Sequence, residues 1–182
     1  MIKVIDNFLD QYYIDYLEDC VTNQSFEWNY QKNVSTFTED ESGWLHGFSH
    51  GLYDPNYGLR FDDSKGQIWI PAILKMEQEL IKEKASLIRT RLDMTVKSPE
   101  NTLHTPHVDL KQPHWTTILY LKDSDGDTVI YNERVQSETY TVQQTVEPKK
   151  NRIIFFDGSF YHTGHSPSKR MNRILLNSNF VK

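Results

Sequence analysis

Trp115-Thr116-Thr117-Ile118-Leu119-Tyr120-Leu121 runs into a polar turn, Asp123-Ser124-Asp125-Gly126, and then into a second β-rich stretch, Thr128-Val129-Ile130-Tyr131. β-Branched and aromatic side chains suit a pleated, half-buried surface, and an Asp/Ser/Gly cluster between two such runs is turn chemistry. The same punctuation continues outward. Leu87 to Val96 alternates upstream, and Glu138 to Val146, Arg152 to Phe156 and Arg173 to Phe180 read as further strands downstream. Short strands at this spacing predict a sandwich or jelly roll.

The first part of the chain reads differently. Residues 10–22 have a helical pattern, with Tyr13, Tyr16, Leu17 and Cys20 on one stripe. Asp10 is placed to cap it, and Leu9 and Ile14 to form a hydrophobic staple. Phe26 to Phe37 alternates as a strand would. Residues 38–67 are rich in Gly, Asp and Ser and carry Trp44, His46, Phe48, His50, Tyr53 and Tyr57, which predicts a long aromatic loop. Pro71 opens a second helix at its first position, with Ile73, Met76 and Leu80 as its apolar stripe and an end near residue 85. The expectation is mainly β with flanking helices, the N-terminal helices packed on one face. It is a single domain over 1–182, with helical and loop support in 1–86 and the β core in 87–182.

Bulk properties bound the function. At 182 residues the chain can bury a real core, and 13% aromatic content offsets a low apolar fraction of 37%. A net charge of -5 argues against broad nucleic-acid affinity, which needs clustered Lys and Arg. No apolar run reaches the length of a membrane span. Cys20 is the only cysteine, so no internal disulfide and no Cys-based zinc site can form. That suits a cytoplasmic setting.

The chemistry concentrates in four residues. His107 and Asp109 stand two apart, so on an extended chain both face the same way. His162 follows in Phe160-Tyr161-His162-Thr163-Gly164, and Arg173 eleven residues later. Two imidazoles and a carboxylate make the facial triad that leaves open positions on a non-haem iron, although manganese, zinc, nickel or cobalt would accept the same donors. Arg173 is the grip for an acid cosubstrate, because a guanidinium can hold a carboxylate with two parallel hydrogen bonds. His165 is a competing third ligand by position. His104 and His114 lack a carboxylate two residues on, and His46 and His50 read as loop residues.

With those residues in place, the stretch 87–182 resembles the 2-oxoglutarate/Fe(II)-dependent dioxygenases, especially their prolyl-4-hydroxylase-like branch. The carriers are His107-x-Asp109, Ile118-Leu119-Tyr120-Leu121, Gly126-Asp127-Thr128, Arg152-Ile153-Ile154-Phe155-Phe156, His162 and Arg173. The resemblance implies a double-stranded β-helix, Fe(II) held by His107, Asp109 and His162, and 2-oxoglutarate paired with Arg173. Tyr120 and Thr128 would line the cosubstrate pocket, with ascorbate as an accessory reductant. The implied activity is hydroxylation of a small-molecule or peptidyl substrate with release of succinate and CO2, the substrate approaching over a lid or wall formed by Trp44, Phe48, Tyr53, Tyr57 and Trp115. The rivals are a cupin-like metalloenzyme without 2-oxoglutarate and a non-catalytic jelly-roll binding module. Two positions depart from the family pattern. Leu175 stands where many relatives have Ser, and Asp125-Gly126 where many have two glycines.

Overall fold

The computed structural model describes residues 2–35, 43–61, 64–80 and 85–182. Among these residues, ten strands form two sheets. The seven-stranded sheet has the order β1 (Ile2–Ile5), β8 (Ile153–Asp157), β5 (His114–Tyr120), β10 (Asn172–Val181), β4 (Leu87–Val96), β3 (Gly47–Tyr53), β2 (Asn29–Gln31). The three-stranded sheet is β7 (Val142–Val146), β6 (Thr128–Tyr131), β9 (His162–Gly164). All pairings are antiparallel. The mainly β jelly roll is the expected fold.

Helices cover the outer face of the large sheet. Helix α1 (Gln11–Thr22) starts where Asp10 accepts from the Tyr12 backbone N–H, and buries Ile14, Leu17 and Val21. A single turn, α2 (Ser64–Gln67), precedes α3 (Ile70–Glu79), which has Pro71 in its first turn, where a missing N–H costs nothing. Helix α3 buries Ala72, Ile73 and Met76. These meet Leu92, Leu119, Ile153, Phe155, Leu176 and Phe180 in one core. The helix ends at Glu79 with Leu80 as its C-cap, short of the expected end near residue 85.

Along each large-sheet strand the pleat sends alternate residues the other way. Ile118, Tyr120, Ile154, Phe156 and Leu175 turn inward and meet Ile130, Val146 and Phe160 of the small-sheet side. This second core closes one end of the roll, and the polar inward positions remain for the other.

The N-terminal region departs from the helix-and-loop expectation. β1 pairs with β8, Ile2 opposite Phe156, and β2 and β3 extend the sheet beyond β4. The aromatic loop of 38–67 therefore contains a strand. Phe48 stands opposite Met94, and an added Cβ at Gly47 would lie 2.5 Å from the Met94 carbonyl oxygen. The glycine that suggested a loop is there for close strand approach. The strand read over Phe26 to Phe37 is short, Asn29–Gln31, and its far end lies outside the described residues. No helix of the described residues is long and apolar enough to cross a membrane.

Candidate metal centre

His107 and His162 are brought together by backbone pairing. Each donates its N–H to the other's carbonyl at 2.9 Å, a bridge that prolongs the small sheet past β9. Further along, the His104 N–H donates to the Gly164 carbonyl at 3.0 Å. The segment before the His-x-Asp pair is thus an irregular strand lying along β9. Asp109 follows in the turn and reaches back between the two imidazoles. His107 Nε2 lies 4.0 Å from one Asp109 oxygen, and His162 Nε2 lies 3.7 Å from the other. One donor atom from each of the three falls within 4.8 Å of the others.

The tautomers follow from the second ring nitrogens. His107 Nδ1 sits 3.0 Å from the Thr105 carbonyl, and His162 Nδ1 sits 3.1 Å from the Phe160 carbonyl. A carbonyl only accepts, so each Nδ1 carries the proton and each Nε2 presents a lone pair to the Asp109 side. Burial keeps His162 neutral, pushing its pKa down to about 4 against the pull of Asp109. For Asp109 the balance tips the other way. Burial would raise its pKa, but the His162 imidazole, the Arg89 guanidinium, the His107 imidazole and the Arg91 guanidinium that face it hold the carboxyl well below the usual range. Its oxygens also accept from Asn179 Nδ2 at 2.9 Å and from Asn177 Nδ2 and Thr116 Oγ1, both at 3.3 Å. Arg89 Nη2 lies 3.4 Å from it.

Behind the triad lies a second polar cluster. Arg173 is buried on β10. Its Nη2 donates to Thr128 Oγ1 at 2.6 Å, and the Tyr120 hydroxyl donates to the same oxygen at 2.6 Å. Accepting both leaves the Thr128 O–H proton free to donate elsewhere. The guanidinium also lies 5.6 Å from the Tyr120 ring centroid. Arg173 Nε is buried without a hydrogen-bond partner, and no carboxylate lies within ion-pair distance of Arg173 among the described residues. Gly164 leaves the room: a Cβ there would meet the guanidinium carbon at 3.2 Å. One pocket touches His162, Thr128, Leu175, Asn177 and Arg173 and joins the triad to this cluster.

The two departures from the family pattern have local explanations. Leu175 is buried in the inter-sheet core and walls the pocket. The Asp125 carboxylate accepts from the backbone N–H groups of Ser168, Lys169 and Arg170 at 2.8–3.0 Å, pinning the turn that leads into β10 and Arg173.

Other expected residues fall elsewhere. His165 is not in the cluster, and its Nδ1 sits 3.3 Å from the Asp127 carbonyl. His104 is buried with Nε2 2.8 Å from Ser166 Oγ. His46 and His50 bind the backbone carbonyls of Gly43 and Glu27. The aromatic residues read as a substrate wall, Trp44, Phe48, Tyr53, Tyr57 and Trp115, do not line the cleft above the triad among the described residues. Phe48 packs on Tyr30, Tyr53 stacks on Phe61, and Trp115 lies in the helix-side core. Tyr30, Val34 and Val108 line the cleft instead. Sequence reading also missed Asn177, Asn179, Arg89 and Arg91. The available signal was polar residues at alternate positions of strands otherwise destined for burial.

Residues 94–181 match the 2OG-Fe(II) oxygenase superfamily. No curated protein matches the chain. Among solved structures, the alpha-ketoglutarate-dependent epimerase SnoN of nogalamycin biosynthesis superposes with a TM-score of 0.71 at 11% identity, over 100% of this chain and 76% of SnoN. A prolyl hydroxylase from Trichoplax adhaerens, solved with a hypoxia-inducible-factor peptide, gives 0.67 at 14% identity over 98% of this chain and 83% of its own. A prolyl-4-hydroxylase from Pseudomonas putida gives 0.60 at 15% identity over 100% and 92%. At such identities these likenesses speak for the fold, whereas the sequence match spans Asp109, His107, His162 and Arg173 together. Over residues 94–181, the part of the β core that carries the site, this chain is similar to the 2OG-Fe(II) oxygenase superfamily.

Proposed function

We propose that the chain is a non-haem Fe(II)- and 2-oxoglutarate-dependent dioxygenase that hydroxylates a C–H bond of a small-molecule or peptidyl substrate. The observation that carries this reading is Arg173. A buried guanidinium with an orphaned Nε and no carboxylate within ion-pair distance among the described residues is costly, unless an anionic ligand completes it. A cupin-like enzyme without a diacid cosubstrate has no use for that cation. A decayed binding module has no reason to keep three ligand side chains converged.

The donor set fits the metal. Two metal–ligand bonds of about 2.1 Å span slightly over 4 Å, enough to bridge the separations between Asp109 and each imidazole. Two neutral nitrogens and one carboxylate leave the remaining positions of an octahedral ion for exogenous ligands. When bound, Fe(II) with 2-oxoglutarate supplies dioxygen activation, coupling oxidative decarboxylation of the diacid to succinate and CO2 with oxidation of the substrate. The chain's own residues do the rest. The Thr105 and Phe160 carbonyls fix the imidazole planes, and Asn179 with Arg89 fixes the carboxylate. The Arg173 fork and the Thr128 hydroxyl receive the far carboxylate of the diacid. Ile118 and Leu175 keep water from its methylenes. The lone Cys20, half-buried, supports a reducing compartment.

Two expected results follow here. Protein supplied with Fe(II) in air should convert 2-oxoglutarate slowly to succinate even without a primary substrate, and chelation should stop it. Succinate formation indifferent to the metal would reject the proposal. Asn179→Ala should weaken divalent-metal affinity by about 10–100-fold, the usual cost of losing a residue that orients a ligand. Cobalt titration measures this, and unchanged affinity would deny Asn179 that role.

A further inference from the structure

The strand β4 places a second set of charges at the same end of the roll. Arg89, Arg91, Asp93 and Thr95 alternate and share one face, opposite Asn179, Asn177, Leu175 and Arg173 of β10. Arg89 is fully engaged: Nε and Nη2 donate to Asn179 Oδ1 at 3.1 and 2.8 Å, and Nη2 faces Asp109. Arg91 is not. Its Nε donates to the Asp93 carboxylate at 3.0 Å, while both terminal nitrogens lack a hydrogen-bond partner among the described residues. The side chain is 31% exposed and lines both the inner pocket and the open cleft above the triad.

That cleft has a volume of about 460 Å³, within the range of small-molecule sites. Its described lining carries Lys32, Arg89 and Arg91 against a single carboxylate, Asp109, which a metal would neutralise. The register separates Arg91 from the diacid grip. Thr95 pairs with Arg173 and Arg91 with Asn177, four residues apart, or roughly 13 Å along the strand. A five-carbon diacid held by Arg173 does not use the Arg91 fork.

We propose that Arg91, steadied by Asp93, anchors a free carboxylate on the primary substrate, which is therefore a small acid of amino-acid to dipeptide size. The backbone of an internal stretch of polypeptide has no such group, and only an Asp or Glu side chain could supply one. The inference rests on the oxygenase reading above. A guanidinium whose Nε is already fixed presents two parallel N–H donors in the geometry a carboxylate accepts, and less side-chain freedom is lost on binding.

The test uses the full chain loaded with Fe(II) and 2-oxoglutarate. Loading is first verified anaerobically by the metal-to-ligand charge-transfer band. Free L-amino acids and dipeptides, each beside its primary amide, are then screened for stimulation of succinate release in air. Free acids should stimulate and their amides should not. Arg91→Gln should raise the half-saturating concentration of the active acid at least tenfold, with the band still forming at saturating Fe(II) and 2-oxoglutarate. Arg91→Lys keeps the charge and the Asp93 partner, and should recover part of the loss. It also decides the matter if the glutamine variant fails to fold. Equal stimulation by acids and amides, activity confined to peptides capped at both ends, or unaltered saturation in both Arg91 variants would overturn the assignment. So would a loaded protein that no free acid stimulates. Absence of the band in the parent protein would instead bring down the oxygenase reading itself.

Discussion

His107→Ala and Asp109→Ala are each expected to abolish Fe(II)-dependent turnover of 2-oxoglutarate while the fold survives. Changing a residue that merely orients a ligand costs about 10–100-fold in metal affinity or activity. Deleting a ligand should exceed that and take succinate release below detection. The His107 variant is the cleaner of the two. Its side chain is 26% exposed and sits on an irregular segment outside both cores, so truncation opens no buried cavity. The backbone bridge to His162 does not depend on the imidazole. Removing the Asp109 carboxylate also strands Asn179 and Arg89, both of which are aimed at it. Some loss of stability is expected there as well. Circular dichroism separates unfolding from loss of metal. Normal turnover in the His107 variant would reject its role as a ligand.

Arg173→Met should weaken 2-oxoglutarate binding far more than metal binding. A charge-assisted pair contributes about 1.5–3 kcal/mol, so the affinity should fall by roughly tenfold to a hundredfold or more. The metal should be held nearly as before, because Arg173 contacts Thr128 and Tyr120 rather than any triad residue. Stability of the ligand-free protein should hardly suffer, since the substitution removes a buried cation that has no acid partner among the described residues. Methionine also fills much of the volume that the arginine stem leaves. Isothermal titration with 2-oxoglutarate in the presence of a redox-inert divalent metal reads both quantities. Equal cosubstrate affinity in the variant would remove Arg173 from the site.

What could be read from the chain, and what could not, divides by the range of the interaction. Strands β4, β5, β6 and β10 are long enough, or β-rich enough, to announce themselves, and their spans match the expected ones to within a residue at each end. The capped helix α1 is equally local, since Asp10 and the apolar stripe are neighbours in sequence. Strand β1 is only four residues long, and its partner β8 lies some 150 residues away, so no local pattern reveals it. Strand β3 carries two glycines and one histidine and looks like a loop until β4 is placed beside it. The site shows the same division. His107 and Asp109 share one short motif, and the spacing to His162 and Arg173 fits a known resemblance. The groups that hold Asp109 come from Arg89, Thr116 and Asn179, on three strands that are adjacent only after folding. The aromatic wall was misplaced for a related reason. Composition reports that aromatic residues are present, but partners such as Phe61 for Tyr53 decide which way they face.

Anaerobic titration of the metal-free protein with Fe(II), with and without 2-oxoglutarate, tests most directly whether the three ligands and the buried arginine serve one ternary site. A weak visible absorption should develop only when metal and diacid are both present, saturate at one equivalent of each, and disappear in the His107→Ala protein. A protein that binds Fe(II) yet gives the same spectrum with and without the diacid would contradict the shared site.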